Sequence, residues 1–172
     1  MRWNSSLSLL MLIGLCSAPA YAGCLPPQLG AALHETYPDM KIVELQDLLA
    51  DDQQIVKDAH LAECLGVAHG NFDGRGLSYA VTLFSKSPEL KQMLVLVGPE
   101  NSNKAPQLRV LDGPVPVARL AIIRRVPPGT LESVEGKKVV AKYDAVAYET
   151  LEAGVAVFYL SGDKFSDVIT SE

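Results

Sequence analysis

Apolar residues along this chain fall into two rhythms. After Pro26 and Pro27, whose fixed φ suits the entry to a helix, Leu29, Leu33 and Tyr37 recur at helical spacing until Pro38 stops the run. Residues 40–45 alternate as a brief strand would, and 47–58 returns to helical spacing through Leu48, Leu49, Ile55 and Val56. From Val67 onward the rhythm changes to short runs of Val, Ile, Leu and aromatic residues punctuated by Gly, Pro, Asn and Asp. These runs predict strands at 78–85, 92–97, 107–111, 118–125, 138–142, 145–148, 154–160 and 164–169. The Gly162-Asp163 pair between the last two predicts a tight hairpin. Pro114, Pro116, Pro127 and Pro128 bracket the 118–125 run and cannot continue a central ladder. No helix of crossover length separates the strands, which argues against a parallel sheet. The expected fold is α+β: short N-terminal helices packed on an antiparallel β meander.

The first 22 residues follow neither rhythm. Met1-Arg2-Trp3-Asn4 precedes an apolar run from Leu7 to Leu15, and small residues Ala20 and Ala22 stand three and one before Gly23. One basic residue, a short apolar core and a small-residue cut site are the parts of a secretory signal, and the core is shorter than the roughly 20 apolar residues that span a bilayer. Cleavage after Ala22 is expected, leaving 23–172 as one domain, periplasmic or secreted, with no stable membrane insertion. Lipidation at Cys16 or Cys24 is the competing reading; Leu15 and Tyr21 are poor neighbours for it.

Export changes the meaning of the cysteines. Of three in the chain, Cys16 leaves with the signal, so Cys24 and Cys64 remain as an even pair in an oxidising compartment and should be bonded to each other. Charge adds an asymmetry. Arg2 is the only charged residue in the signal, so the rest carries one base fewer than the 15 of the whole chain, against all 20 acids. Acids dominate from Glu35 to Glu63 and bases from Lys86 to Arg125. A surplus of acid argues against general nucleic-acid binding, which depends on phosphate neutralisation.

One segment carries a recognisable motif, His69-Gly70-Asn71-Phe72-Asp73-Gly74-Arg75-Gly76-Leu77-Ser78-Tyr79. It resembles the calcium loop of FG-GAP or VCBS-type proteins, and with Cys64-Leu65-Gly66-Val67 before it the chain is similar to small exported bacterial proteins that bear one such loop. The resemblance implies Asn71 and Asp73 as metal ligands at the first and third positions, with Gly76 at the sixth for the sharp turn. Arg75 falls at the fifth position, where an oxygen ligand belongs, and Tyr79 at the ninth. A guanidinium in the ring opposes a cation, so the expectation is a loop without a cofactor, with Arg75 either where the ion would lie or swung outward.

No complete catalytic motif accompanies it. His34-Glu35 lacks a second histidine at zinc-protease spacing, and no nucleophile elbow, phosphate loop or dinucleotide fingerprint occurs. The leading reading is therefore an exported, non-catalytic protein-binding module whose partner is another envelope protein, for example as an inhibitor or immunity-type protein. Its expected contact surface is the acidic segment, through Asp47, Asp51 and Asp52, because complementary charge speeds encounter with basic wall-degrading enzymes. The alternatives are an envelope-associated structural protein with a degenerate calcium loop, and a hydrolase built around residues such as His60, His69 and Asp73.

Overall fold

The computed structural model of the protein describes residues 23–61, 63–98 and 105–170; the signal segment expected over 1–22 lies outside them. Helix α1 (Pro27–Thr36) begins with proline in its first turn and lays Leu29 and Leu33 inward. Strand β1 (Lys41–Ile42) is only two residues long, and a 3-10 turn, Leu45–Asp47, precedes helix α2 (Ala50–Asp58). The helix expected over 47–58 is thus split. Asp47 Oδ2 accepts the Glu44 N–H at 3.1 Å, and the Glu44 side chain in turn accepts from the Asp47 backbone, so a reciprocal cap closes the tighter turn first.

The remaining described elements are strands: β2 (Val67–Gly70), β3 (Ser78–Ser85), β4 (Lys91–Gly98), β5 (Gln107–Pro116), β6 (Ile122–Val126), β7 (Gly129–Glu132), β8 (Lys138–Ala141), β9 (Ala145–Thr150), β10 (Gly154–Ser161) and β11 (Lys164–Thr170). All pairings among them are antiparallel. They form three sheets rather than the single meander expected. In the first, β3, β4 and β5 run as a meander, while β1 and β2 share the other edge of β3. The second has the order β11-β10-β9-β6, and β7 pairs with β8 as a separate hairpin.

Burial explains the layering. Tyr79, Val81, Leu83, Met93, Val95 and Val97 pack with Leu25, Leu29 and Leu33, so α1 covers one face of the first sheet. The alternate residues Ala80, Leu94 and Leu96 meet Ile123, Val146 and Phe158 of the second sheet. The far face of that sheet, through Ala145, Ala147, Val155 and Val157, is covered by Leu131 and Ala141 of the β7-β8 hairpin. The order is helix, sheet, sheet, hairpin. With both faces covered, β3 and β4 are buried almost throughout and read as continuous apolar runs. Helix α2 caps one end through Val56, which packs with Val43, Leu65, Phe84, Leu120 and Ile122.

The Cys24–Cys64 disulfide forms as expected, with Cα atoms 5.6 Å apart, and ties the start of α1 to the approach to β2. The Gly162-Asp163 turn also forms, with Ser161 opposite Lys164. The boundaries of β5 and β6 differ most from expectation. Residues 118–121, apolar except for Arg119, lie outside β6, and the fully buried Gln92 side chain serves the Ala121 backbone at both ends: its Nε2 donates to Ala121 O at 2.7 Å and its Oε1 accepts from Ala121 N–H at 2.8 Å. In contrast, β5 continues beyond 111 through Pro114 and Pro116, which an outermost strand tolerates because its outer side needs no N–H.

Candidate functional site

The loop from Asn71 to Leu77 joins β2 to β3 and is built from beneath. Phe72 is fully buried between the two large sheets, a burial that stabilises by about 2–3 kcal/mol. The Asp144 carboxylate, on the turn between β8 and β9, accepts the Asn71 N–H at 2.7 Å, and the Asp144 N–H donates to Asn71 O at 3.1 Å. Gly74 has φ of +76°, and a Cβ there would lie 2.5 Å from Cζ of Tyr143. The loop therefore rests on Tyr143-Asp144, and the positive φ at its bend favours glycine.

The polar side chains of the loop are spent on its own shape. Asn71 Oδ1 accepts the Gly76 N–H at 3.3 Å. Asp73 Oδ1 accepts the Arg75 N–H at 3.0 Å, and its Oδ2 takes Arg75 Nε at 2.8 Å. Arg75 also reaches Gln107 on β5, donating from Nη1 to Oε1 at 3.3 Å. The donor set is a poor match for calcium, which wants six to eight oxygens around it: both oxygens of Asp73 and the oxygen of Asn71 turn to N–H groups, and a guanidinium stands against the carboxylate.

A second ion pair flanks the loop. Asp144 Oδ1 holds Arg125 Nε, from β6, at 2.8 Å, while its other oxygen holds Asn71. The two pairs share one arrangement: the Asp73 and Asp144 side chains are each 7% exposed, whereas those of Arg75 and Arg125 are 56% and 51% exposed. Anions lie beneath and cations lie on the surface. Lys142, also exposed, places its ammonium 5.1 Å from the centre of the Tyr143 ring that supports Gly74.

The acidic residues expected to form a contact face have a different occupation. Asp52 is 1% exposed, so it cannot be part of a contact surface. It points from the first turn of α2 to Arg119, whose Nη1 lies 3.1 Å from Asp52 Oδ1 and whose Nη2 lies 2.9 Å from Asp51 Oδ2. Glu152, from the turn between β9 and β10, approaches the same guanidinium at 4.0 Å. Burial pushes the Asp52 carboxyl above the usual carboxylate range, with Arg119 pulling the other way; the Asp52 N–H and Arg119 hold Asp51 below it. Asp47 is engaged in the cap of the 3-10 turn. Asp51 and Asp52 tie α2 to Arg119, with Asp51 still 54% exposed, and Asp47 holds the 3-10 turn before the helix.

The histidines do not assemble with Asp73 as a general acid–base pair would. His60 is exposed with Nδ1 3.0 Å from Asp58 O, and His69 is exposed on β2 with its ring 6.2 Å from that of Tyr79, while Asp73 is occupied by Arg75. A small pocket of about 10 Å³ between α1 and β1, lined by residues that include His34, Tyr37 and Met40, has room for little more than a water. Arg119, Arg125, Asp144 and Gln92 went unmarked in the sequence because each finds its partner far along the chain. The basic bias between Lys86 and Arg125 was the only signal bearing on any of them.

Comparison with known proteins gives no match to a protein-family model, a curated protein or a solved structure.

Proposed function

We propose that this chain is an exported, non-catalytic protein-binding module of the periplasm or extracellular space, cleaved after Ala22, which docks on another envelope protein through the Asn71–Leu77 loop. Rigidity of that loop carries the reading. Phe72, Gly74 and the Asp144 carboxylate fix it from below, while Arg75 and Leu77, which is 40% exposed, remain outward. Binding residues tend to sit on loops held by a rigid scaffold, and a loop already fixed in one shape loses little conformational freedom on association. The engagement of Asp51 and Asp52 with Arg119 moves the proposed contact surface away from the acidic segment first expected. In this reading the Arg75–Asp73 pair closes the loop that resembles a calcium site, so the turn holds its shape without a metal.

The test is capture of a partner from an envelope extract by the oxidised 23–172 protein, with and without chelator, beside the Leu77→Asp variant. Expected is a stoichiometric partner retained in chelator and lost with Leu77→Asp, together with a melting temperature that calcium moves by less than about 1 °C, as linkage requires when the ion does not bind the folded state. Capture only in calcium would restore the metal loop, and capture indifferent to Leu77 would remove the loop as the contact.

A further inference from the structure

Resting on the reading of this loop as a docking surface, we infer that its partner presents an acidic segment, whose carboxylates are received by the guanidiniums of Arg75 and Arg125. Both side chains are gripped through Nε, at 2.8 Å in each case, by a carboxylate that is almost fully buried. A guanidinium held in this way is oriented by the carboxylate beneath it. Its terminal nitrogens form a planar donor edge matched to a carboxylate, which takes parallel hydrogen bonds from it. Arg125 makes no other hydrogen bond among the described residues, and Arg75 commits only Nη1, to Gln107.

The setting favours a negative partner. The 71–77 loop, the 142–144 turn and β6 contribute Arg75, Lys142, Arg124 and Arg125 to the exposed surface, and their carboxylates, Asp73 and Asp144, lie underneath. Arg124 is turned to Glu149 at 3.3 Å, which leaves Arg75, Arg125 and Lys142 as the receiving set. The two gripped guanidiniums flank the loop, one directed to Gln107 on β5 and the other rising from β6. An extended acidic peptide offers a separate carboxylate to each guanidinium, whereas inorganic phosphate is a single anion. Leu77, two residues from Arg75 and 40% exposed, supplies an apolar contact, so the fitting segment carries acids next to an apolar residue.

The inference is tested by titrating the oxidised 23–172 protein with a hexaglutamate peptide, and separately with inorganic phosphate at equal ionic strength, while following backbone amide shifts. The expected result is peptide-dependent shifts confined to 71–77, 125 and 142–144, with phosphate weaker by about tenfold or more for want of the second contact. Arg75→Lys with Arg125→Lys keeps the charge and removes the planar fork, and should weaken the peptide several-fold while the amide shifts of β4 and β10 show the fold intact. Peptide shifts elsewhere, equal binding by the lysine variant, or phosphate as tight as the peptide would each overturn the inference. If hexaglutamate fails while envelope capture still depends on Leu77, the docking surface stands and the acidic partner falls.

Discussion

At the scale of single residues, Gly74 shows most directly how the loop is specified. Its positive φ would strain any side chain, and a Cβ there would have to push the end of the Tyr143 ring aside. Gly136 offers a matched comparison, since its φ is +78° but nothing lies within 4 Å of where a Cβ would be. Gly136→Ala should cost about 1 kcal/mol, the usual penalty for an L-residue in the left-handed region. Gly74→Ala adds the displacement of Tyr143 and should cost about 2–3 kcal/mol in denaturant unfolding. Equal costs would mean that the loop is not seated on Tyr143. The glycines and Asp73 of this loop were legible in the sequence because turn chemistry is local. Asp144 was not: it reaches Asn71 and Arg125 across the fold, and nothing in Tyr143-Asp144-Ala145 distinguishes it from an ordinary turn acid.

At the scale of elements, Arg119 joins α2 to the segment before β6 and to the β9-β10 turn. Arg119→Ala should lower the melting temperature at pH 7 by several degrees, because it leaves the Asp52 carboxylate buried without a counter-ion. The sign of its pH dependence follows from Asp52. A carboxyl whose folded pKa is raised by burial penalises folding above that pKa, and the penalty fades as pH falls through it toward the unfolded value of 3.8. The deficit of Arg119→Ala should accordingly shrink on acidification, and Asp52→Asn added to it should restore part of the loss at pH 7. A deficit constant from pH 7 to pH 4 would show that Arg119 acts by packing alone.

Element types were largely legible, because short apolar runs bounded by turn residues yield β3, β4 and the β10-β11 hairpin directly. Assignment to sheets was not. Strands covered on both faces carry no alternation to say which side meets which layer, and a side-chain amide such as Gln92 can satisfy a backbone that would otherwise need a neighbouring strand. β7 escaped notice because it starts immediately after Pro127-Pro128 and buries only Leu131.

At the scale of the whole molecule, the disulfide fastens the outermost helical layer to the sheet it covers. Closing a loop with a sequence separation of 40 residues should stabilise by roughly 4 kcal/mol on the loop-entropy account. Reduction, or Cys24→Ser with Cys64→Ser, should lower the urea midpoint correspondingly, and hydrogen exchange should show α1 losing protection before β4 and β10. Simultaneous loss across all three would make the helix part of one cooperative unit with the sheets. The sandwich is further closed along its sides, by the Ile123 N–H to Leu65 O bond at 2.8 Å and by Arg109, which donates to Asp163 O at 3.2 Å and lies over Phe165.

That closure leaves β5 as the outermost strand of the first sheet. An uncovered border of this kind is where one molecule recruits the next into fibrous aggregates. Pro114 and Pro116 interrupt its row of donors with positions that have no hydrogen to offer, so a second chain laid alongside finds an incomplete template. The same prolines that blurred the end of this strand in the sequence thus guard the protein's solubility when it is concentrated.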